Sequence, residues 1–93
     1  MIIIKQVDLD KDLTAQSVTL KGIMAVIGIN VPDNAQPQIT LIVNTSDNIT
    51  RTVDLILLQE GQDAAKLLTN PKYKGTSKGY YLFEKEIRPR PRY

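Results

Sequence analysis

The sequence predicts a mostly β domain, an antiparallel β-sandwich or small barrel of about five to seven strands. Short runs rich in Ile, Val and Leu recur along the chain, and clusters of Gly, Pro, Asn and Asp separate them. Only one stretch, at about 62–69, has the spacing of a helix. With 93 residues the chain is long enough for one domain and too short for two. We expect that domain at 1–87, followed by an extended basic arm at 88–93.

The first half of the chain begins with a predicted strand at 2–9, which runs into an acidic stretch. Residues 17–31 are also strongly β-prone, and Gly22 and Gly28 predict a turn, a bulge or a close backbone approach within them. The nearly continuous apolar run at 23–27 is typical of a strand that is covered on both faces.

The middle of the chain predicts a β-hairpin. Prolines and an Asp-Asn pair predict a loop at 32–37. Two runs, 38–45 and 49–58, then alternate apolar with polar residues, and the residues between them favour a turn. The side chains expected to face the core are Ile39, Leu41, Val43, Ile49, Val53, Leu55 and Leu57. Those expected in solvent include Thr50, Thr52 and Asp54.

The last third of the chain contains the predicted helix and one more strand. The helix at 62–69 has Asp63 in its first turn, and Asn70 before a proline ends it. Residues 72–79 are polar and contain two glycines, which predicts a loop. Residues 80–87 are dense in aromatic and apolar side chains, which predicts the last strand of the domain.

The composition removes most catalytic and metal-binding chemistry. The chain has no cysteine and no histidine, so it lacks thiolate nucleophiles, thiolate ligands, the commonest general base and the commonest zinc ligand. No carboxylate pair or phosphate-binding glycine motif is recognisable. We therefore expect no enzymatic activity and no cofactor.

One acidic segment partly matches the start of a calcium-binding loop. Asp8, Asp10 and Asp12 alternate along the chain, as carboxylates do when they converge on a hard cation. The calcium motif needs glycine at its sixth position and glutamate at its twelfth, where this chain has Leu13 and Thr19. A solvated turn is the expected structure, and we predict no metal site.

The sequence does not predict a membrane segment or a secretory signal. No apolar run approaches the roughly 18–20 residues of a membrane span. The isoleucines at 2–4 have no basic region before them, which a secretory signal requires. We therefore expect synthesis in a cytoplasm and no contact with a membrane.

Charge is distributed unevenly along the chain, although the net charge is only +2. Residues 1–70 carry five basic and eight acidic side chains, a net charge of −3. Residues 71–93 carry seven basic and two acidic side chains, a net charge of +5. Such a basic segment can dock on an acidic protein surface or neutralise phosphates, and the third interpretation is a polar tail that only keeps the protein soluble.

These two uses give two candidate sites. The protein-docking site is the arm, with Arg88, Arg90, Arg92 and Tyr93 as contact residues. The candidate nucleic-acid site interleaves cations with aromatic rings, as proteins that bind single strands do. Its residues are Lys72, Tyr73, Lys74, Lys78 and Tyr80.

The favoured hypothesis is a non-enzymatic structural protein that forms a homo-oligomer or a larger assembly. Small cysteine-free β proteins that are rich in Asn, Gln and Thr and carry extended arms are similar in general style to minor capsid or decoration proteins of bacteriophages. That resemblance is one of composition and architecture, and it implies a place in a virion. In this hypothesis residues 2–4 add an edge strand to a partner. The alternative is a nucleic-acid-binding module, and a small-ligand site between subunits is a third hypothesis.

Overall fold

The computed structural model describes residues 1–89, which contain seven strands and one short 3₁₀ helix of Ala65–Thr69. In chain order the strands are β1 (Ile2–Asp8), β2 (Ala15–Lys21), β3 (Ile23–Asn30), β4 (Gln38–Asn44), β5 (Thr50–Gln59), β6 (Lys72–Ser77) and β7 (Tyr80–Pro89). The predicted mostly β, antiparallel fold class is confirmed.

The strands form two antiparallel sheets. One has three strands in the order β1-β4-β3, and the other has four in the order β2-β5-β7-β6. Their inner faces share one apolar core, because alternate side chains of each strand point to the same face. The core side chains are Leu9, Val18, Ile23, Val26, Ile39, Leu41, Val43, Val53, Leu55, Leu57 and Leu82.

Gly22 connects the two sheets. It lies between β2 of one sheet and β3 of the other, with a φ of +77° that favours glycine. Its N–H donates to the oxygen of Ile49, and its oxygen accepts from the N–H of Asn44. A Cβ at this position would overlap with the backbone oxygen of Asn44. The predicted turn at Gly22 is therefore confirmed, and it is also a close backbone approach.

The predicted hairpin at 38–58 is wrong. β4 pairs with β1 and β3, whereas β5 pairs with β2 and β7, so residues 45–49 carry the chain from one sheet to the other. Two strands that face each other across a core have the same alternation of apolar and polar residues as two strands of a hairpin. The pattern therefore identified six core side chains of the two strands, Ile39, Leu41, Val43, Val53, Leu55 and Leu57, without identifying the partners of the strands.

The burial of β3 and β5 also differs from the prediction. Bulges at Met24 and Ile27 leave both side chains exposed, so β3 is covered on one face only. Ile49, just before β5, is exposed. Thr52 of β5 is buried, and its hydroxyl shares a hydrogen bond of 2.8 Å with the hydroxyl of Thr19.

The predicted helix at 62–69 is reduced to one 3₁₀ turn. The side chain of Asp63 accepts from the N–H of Ala65, and Asn70 ends the turn in the left-handed conformation. Leu68, which would have anchored a helix, is 83% exposed. A segment this short gains too little from apolar burial to form a stable α-helix.

The predicted loop at 72–79 is instead the edge strand β6, which pairs with β7. Only Lys78 and Gly79 form the connection, and both have positive φ angles, as in the two-residue turns that favour hairpins. β7 extends through Pro89, two residues beyond the predicted end of the domain. The rest of the predicted arm, 90–93, lies outside the described residues.

Candidate protein-docking surfaces

The outer face of the three-stranded sheet carries an apolar patch. Ile4, Ile42 and Ala25 are register partners across β1, β4 and β3, and Ile2 lies next to them along β1. Ile3 and Val7, at the other parity of β1, pack against the core. Ile2 is 61% exposed and Ile4 is 68% exposed. We call Ile2, Ala25, Ile4 and Ile42 the apolar patch.

The opposite end of that outer face carries polar side chains from all three strands. The amide of Gln38 donates to the carboxylate of Asp8 over 2.9 Å, and the amide of Asn30 approaches the side chain of Gln6 at 3.5 Å. The first bond joins β4 to β1, and the second joins β3 to β1 across β4. The outer face therefore has one apolar end and one polar end.

β1 is an edge strand whose second backbone edge is open. The oxygen of Met1 accepts from Thr45, and the N–H of Leu9 donates to Pro37, so the odd-numbered residues bond towards β4. The even-numbered residues direct their N–H and C=O groups away from the sheet. Within residues 1–89, no hydrogen bond is made by the backbone N–H and C=O groups that Ile2, Ile4, Gln6 and Asp8 direct away from β4.

The open edge ends at Asp10. The side chain of Gln16 accepts from the N–H of Asp10 over 2.9 Å and donates to its oxygen over 2.8 Å. A glutamine side chain thus takes the place that a paired strand would occupy. The available edge is therefore confined to β1 itself.

The candidate nucleic-acid residues divide between the two faces of the four-stranded sheet. Tyr73 lies on the outer face, is 57% exposed, and packs against Phe83 with ring centroids 5.6 Å apart. Tyr81 shares that face because it lies two residues before Phe83 on β7. Tyr80 faces the opposite way and packs against the core. We call Tyr73, Tyr81 and Phe83 the aromatic cluster.

The lysines of that candidate site are also separated. Lys72 is exposed at the start of β6, Lys74 is half-buried at a bulge, and Lys78 in the turn forms an ion pair with Asp33. This pair lowers the pKa of Asp33. Sequence reasoning missed Tyr81 and Phe83, although their alternation with Tyr80 and Leu82 was a signal for a second face.

Of the predicted docking residues, only Arg88 is within the described part of the chain. Its Nε donates to Oδ2 of Asp54 over 3.0 Å and its Nη2 to Oδ1 over 3.3 Å, while Glu86 lies 3.7 Å away. The hydrogen bonds from Arg88 and then Ser17 hold the pKa of Asp54 below its usual value. Arg88 therefore has an intramolecular partner, while Arg90, Arg92 and Tyr93 lie outside the described residues.

The acidic segment is a hydrogen-bonded turn. Oδ1 of Asp10 accepts from the N–H of Asp12 over 2.9 Å, and Asp8 accepts from Gln38. Across 1–89, no three acidic side chains converge as a metal site requires. Between Met1 and Pro89 there is likewise no helix with the length and apolarity of a membrane span.

Asp47 is paired with Arg51 where the chain crosses between the two sheets. Asp47 accepts from Nη1 of Arg51 over 2.7 Å and from the N–H of Ile49, and these bonds lower the pKa of Asp47. The pair lines a shallow cleft beside Ile23 and Ile87. Because the guanidinium is already bonded to a carboxylate, the cleft offers no free cation to an anionic ligand.

Comparison with protein-family models, curated proteins and solved structures finds no match to this chain.

Proposed function

We propose that this protein is a non-enzymatic structural protein that assembles with copies of itself or on a larger protein scaffold. The observation that supports the proposal is the coincidence of the apolar patch with the open edge of β1. Exposed apolar side chains beside unpaired backbone groups favour association with another chain. In the sequence-based hypothesis the partner surface belongs to a virion of the bacteriophage type, and the arm adds contacts with neighbouring subunits.

The first test is the mass of the protein in solution. Light scattering after size exclusion, at low and at high salt, should give a discrete homo-oligomer. Association through apolar contacts and backbone hydrogen bonds should persist in high salt, because salt screens only charged contacts. A monomer at every concentration and salt would contradict self-assembly.

A second candidate function, binding of single-stranded nucleic acid, is favoured by the aromatic cluster. Exposed aromatic rings stack on bases, and Lys72 lies next to Tyr73 on the same edge strand. The ion pair between Lys78 and Asp33 weakens this candidate, because it neutralises one of the predicted phosphate contacts.

The two functions are distinguished by titration with a single-stranded oligonucleotide. Nucleic-acid binding predicts an affinity that falls steeply with salt and drops about tenfold in Tyr73→Ala, because one stacked base is worth about 1–3 kcal/mol. Thr76→Ala, also exposed on β6, is the matched control. Structural assembly predicts no shift in mass on addition of the oligonucleotide.

A further inference from the structure

We infer that the occupant of the open edge is β1 of a second copy, paired antiparallel about a twofold axis at Ile4. The inference rests on the proposed self-assembly and specifies its interface and register. The two three-stranded sheets would then form one continuous sheet of six strands. An isologous interface of this kind closes on itself, so the product is a dimer.

The backbone limits the registers that a twofold pair can adopt. Hydrogen-bonded pairs must join even-numbered residues, since these alone have groups that point outward from β1. A pair centred on Gln6 would bring Ile2 opposite Asp10 of the second copy. That position is closed, because Gln16 already bonds both backbone groups of Asp10, and the pairs that remain would place the exposed Ile4 opposite the carboxylate of Asp8.

Charge repulsion disfavours the register centred on Lys5. A pair centred on Lys5 would place the two lysines directly opposite each other, and like charges at such positions are destabilising. It would also place Ile2 opposite Asp8, so that the exposed isoleucine would meet a carboxylate. A lysine in the middle of an edge strand therefore discourages this register without closing the edge.

The register centred on Ile4 leaves Asp10 unpaired and does not place two lysines opposite each other. Ile4 lies opposite Ile4 of the second copy, Ile2 lies opposite Gln6, and Ile3 lies opposite Lys5. Ile2, Ile4 and Gln6 of each copy exchange backbone hydrogen bonds, whereas a pair centred on Ile3 would engage only Ile2 and Ile4.

This register also joins the two apolar patches. Ala25, Ile42 and Ile4 form one cross-strand row, and the second copy continues that row across the axis. The isoleucine pair at the centre of the interface is thereby flanked by apolar neighbours on both sides. Asp8 lies beyond the paired segment and keeps its hydrogen bond with Gln38.

Disulfide trapping tests the register, because the chain has no cysteine of its own. Single variants Ile3→Cys, Ile4→Cys and Lys5→Cys are oxidised and resolved on a non-reducing gel. Directly opposed hydrogen-bonded residues have Cα atoms about 5.5 Å apart, which is within the range of a disulfide. We expect at least tenfold more crosslinked dimer for Ile4→Cys than for either neighbour.

The outcomes separate this inference from the proposed function. An oligomer by light scattering that crosslinks best at Ile3 or Lys5, or at none of the three, would overturn the register and leave self-assembly standing. Loss of assembly in a chain that ends at Pro89, without crosslinking at Ile4, would assign the edge to residues 90–93 of a neighbour. A monomer would overturn both.

A charge substitution gives an independent readout. Ile4→Lys would place two lysines opposite each other, and we expect the dissociation constant of the dimer to rise at least tenfold. Ile27→Lys is the matched control, because Ile27 is also exposed but lies on β3, at the other edge of the sheet. Circular dichroism checks that both variants fold. Equal affinities of the two variants would contradict pairing at Ile4.

Discussion

Asp54 lies on the outer face of the four-stranded sheet and accepts hydrogen bonds from Ser17 and Arg88. Because these bonds lower its pKa in the folded state, its stabilising effect is fully present above the ordinary value of 3.8. The effect is lost as the pH falls below 3.8 through the lowered folded-state pKa.

We therefore predict that Asp54→Asn lowers the free energy of unfolding at pH 7 by about 1 kcal/mol, a value suited to a partly exposed pair. Urea unfolding from pH 7 down to pH 2 measures the difference from the parent protein. That difference should shrink below pH 3.8 and disappear once Asp54 is protonated in both states. A constant difference over the whole range would assign the effect to packing and not to the charge of Asp54.

Glu84 is a different carboxylate, because it points towards the core. Its register partner Leu55 is a core side chain, Glu84 is only 8% exposed, and its Oε1 has no hydrogen-bond partner within residues 1–89. A buried polar atom without a partner costs free energy. We predict that Glu84→Leu raises the free energy of unfolding by about 1 kcal/mol, as measured by urea unfolding.

Glu86→Leu is the control for that prediction. Glu86 is exposed on the other face of β7, so its replacement should change the free energy of unfolding by less than about 0.5 kcal/mol. A destabilised Glu84→Leu variant would mean that the carboxyl group supports the fold through its other oxygen.

At the scale of single elements, Gly22 fixes how β2 is joined to β3. We predict that Gly22→Ala lowers the free energy of unfolding by at least about 3 kcal/mol, since left-handed strain adds to the overlap with Asn44. Gly79→Ala is the matched control, because Gly79 has a similar φ of +80° and a Cβ added there would meet no atom within 4 Å. Its cost should be about 1 kcal/mol in the same urea titration. Equal costs would show that the close approach at Gly22 relaxes easily.

For the strands, the sequence could predict which side chains are buried but not which strands pair. The alternation of Ile39, Leu41 and Val43 correctly identified the inner face of β4, since burial on one face imposes a period of two. Pairing was not predictable in the same way, because alternation carries no information about whether the next strand lies beside the first or across the core. The edge strand β6 was missed because its glycines and lysines are typical of loops, and only the ladder with β7 makes it a strand.

The candidate docking surfaces were likewise predictable only where they depend on neighbouring residues of the sequence. The sequence predicts that the isoleucines of β1 add an edge strand to a partner, yet the patch they form with Ile42 depends on a residue 38 positions away along the chain. The register between β1 and β4 is set by tertiary structure, so no local pattern contains it. The docking role of Arg88 rested on charge alone, and Asp54, its intramolecular partner, is distant in the sequence.

At the scale of the whole molecule, the basic arm stays a prediction. We predict that a chain that ends at Pro89 assembles about tenfold more weakly than the full chain, because it lacks Arg90 and Arg92 as contacts for an acidic neighbour. Its free energy of unfolding should stay within about 0.5 kcal/mol, because Arg88 and Asp54 are retained. Sedimentation equilibrium gives the dissociation constants of both forms.

Arg88→Ala is the control for the arm. It removes the ion pair with Asp54 and keeps residues 90–93, so it should destabilise the fold and weaken assembly less than the loss of residues 90–93 does. If the shortened chain and the full chain assemble equally well, the arm has no docking role.

The crossing of the chain between the two sheets has a consequence for how the protein folds. β6 and β7 are joined by a tight turn, and β3 and β4 by the short loop at 31–37, so these two hairpins can form from local contacts. β1 can pair only after β4 has been reached, and β2 only after β5, so each of these pairings bridges two intervening strands. Such long-range pairing is slow, typically in milliseconds to seconds. During that interval the isoleucines of β1 are unpaired on both edges, so rapid dilution at low protein concentration should give the best recovery on refolding.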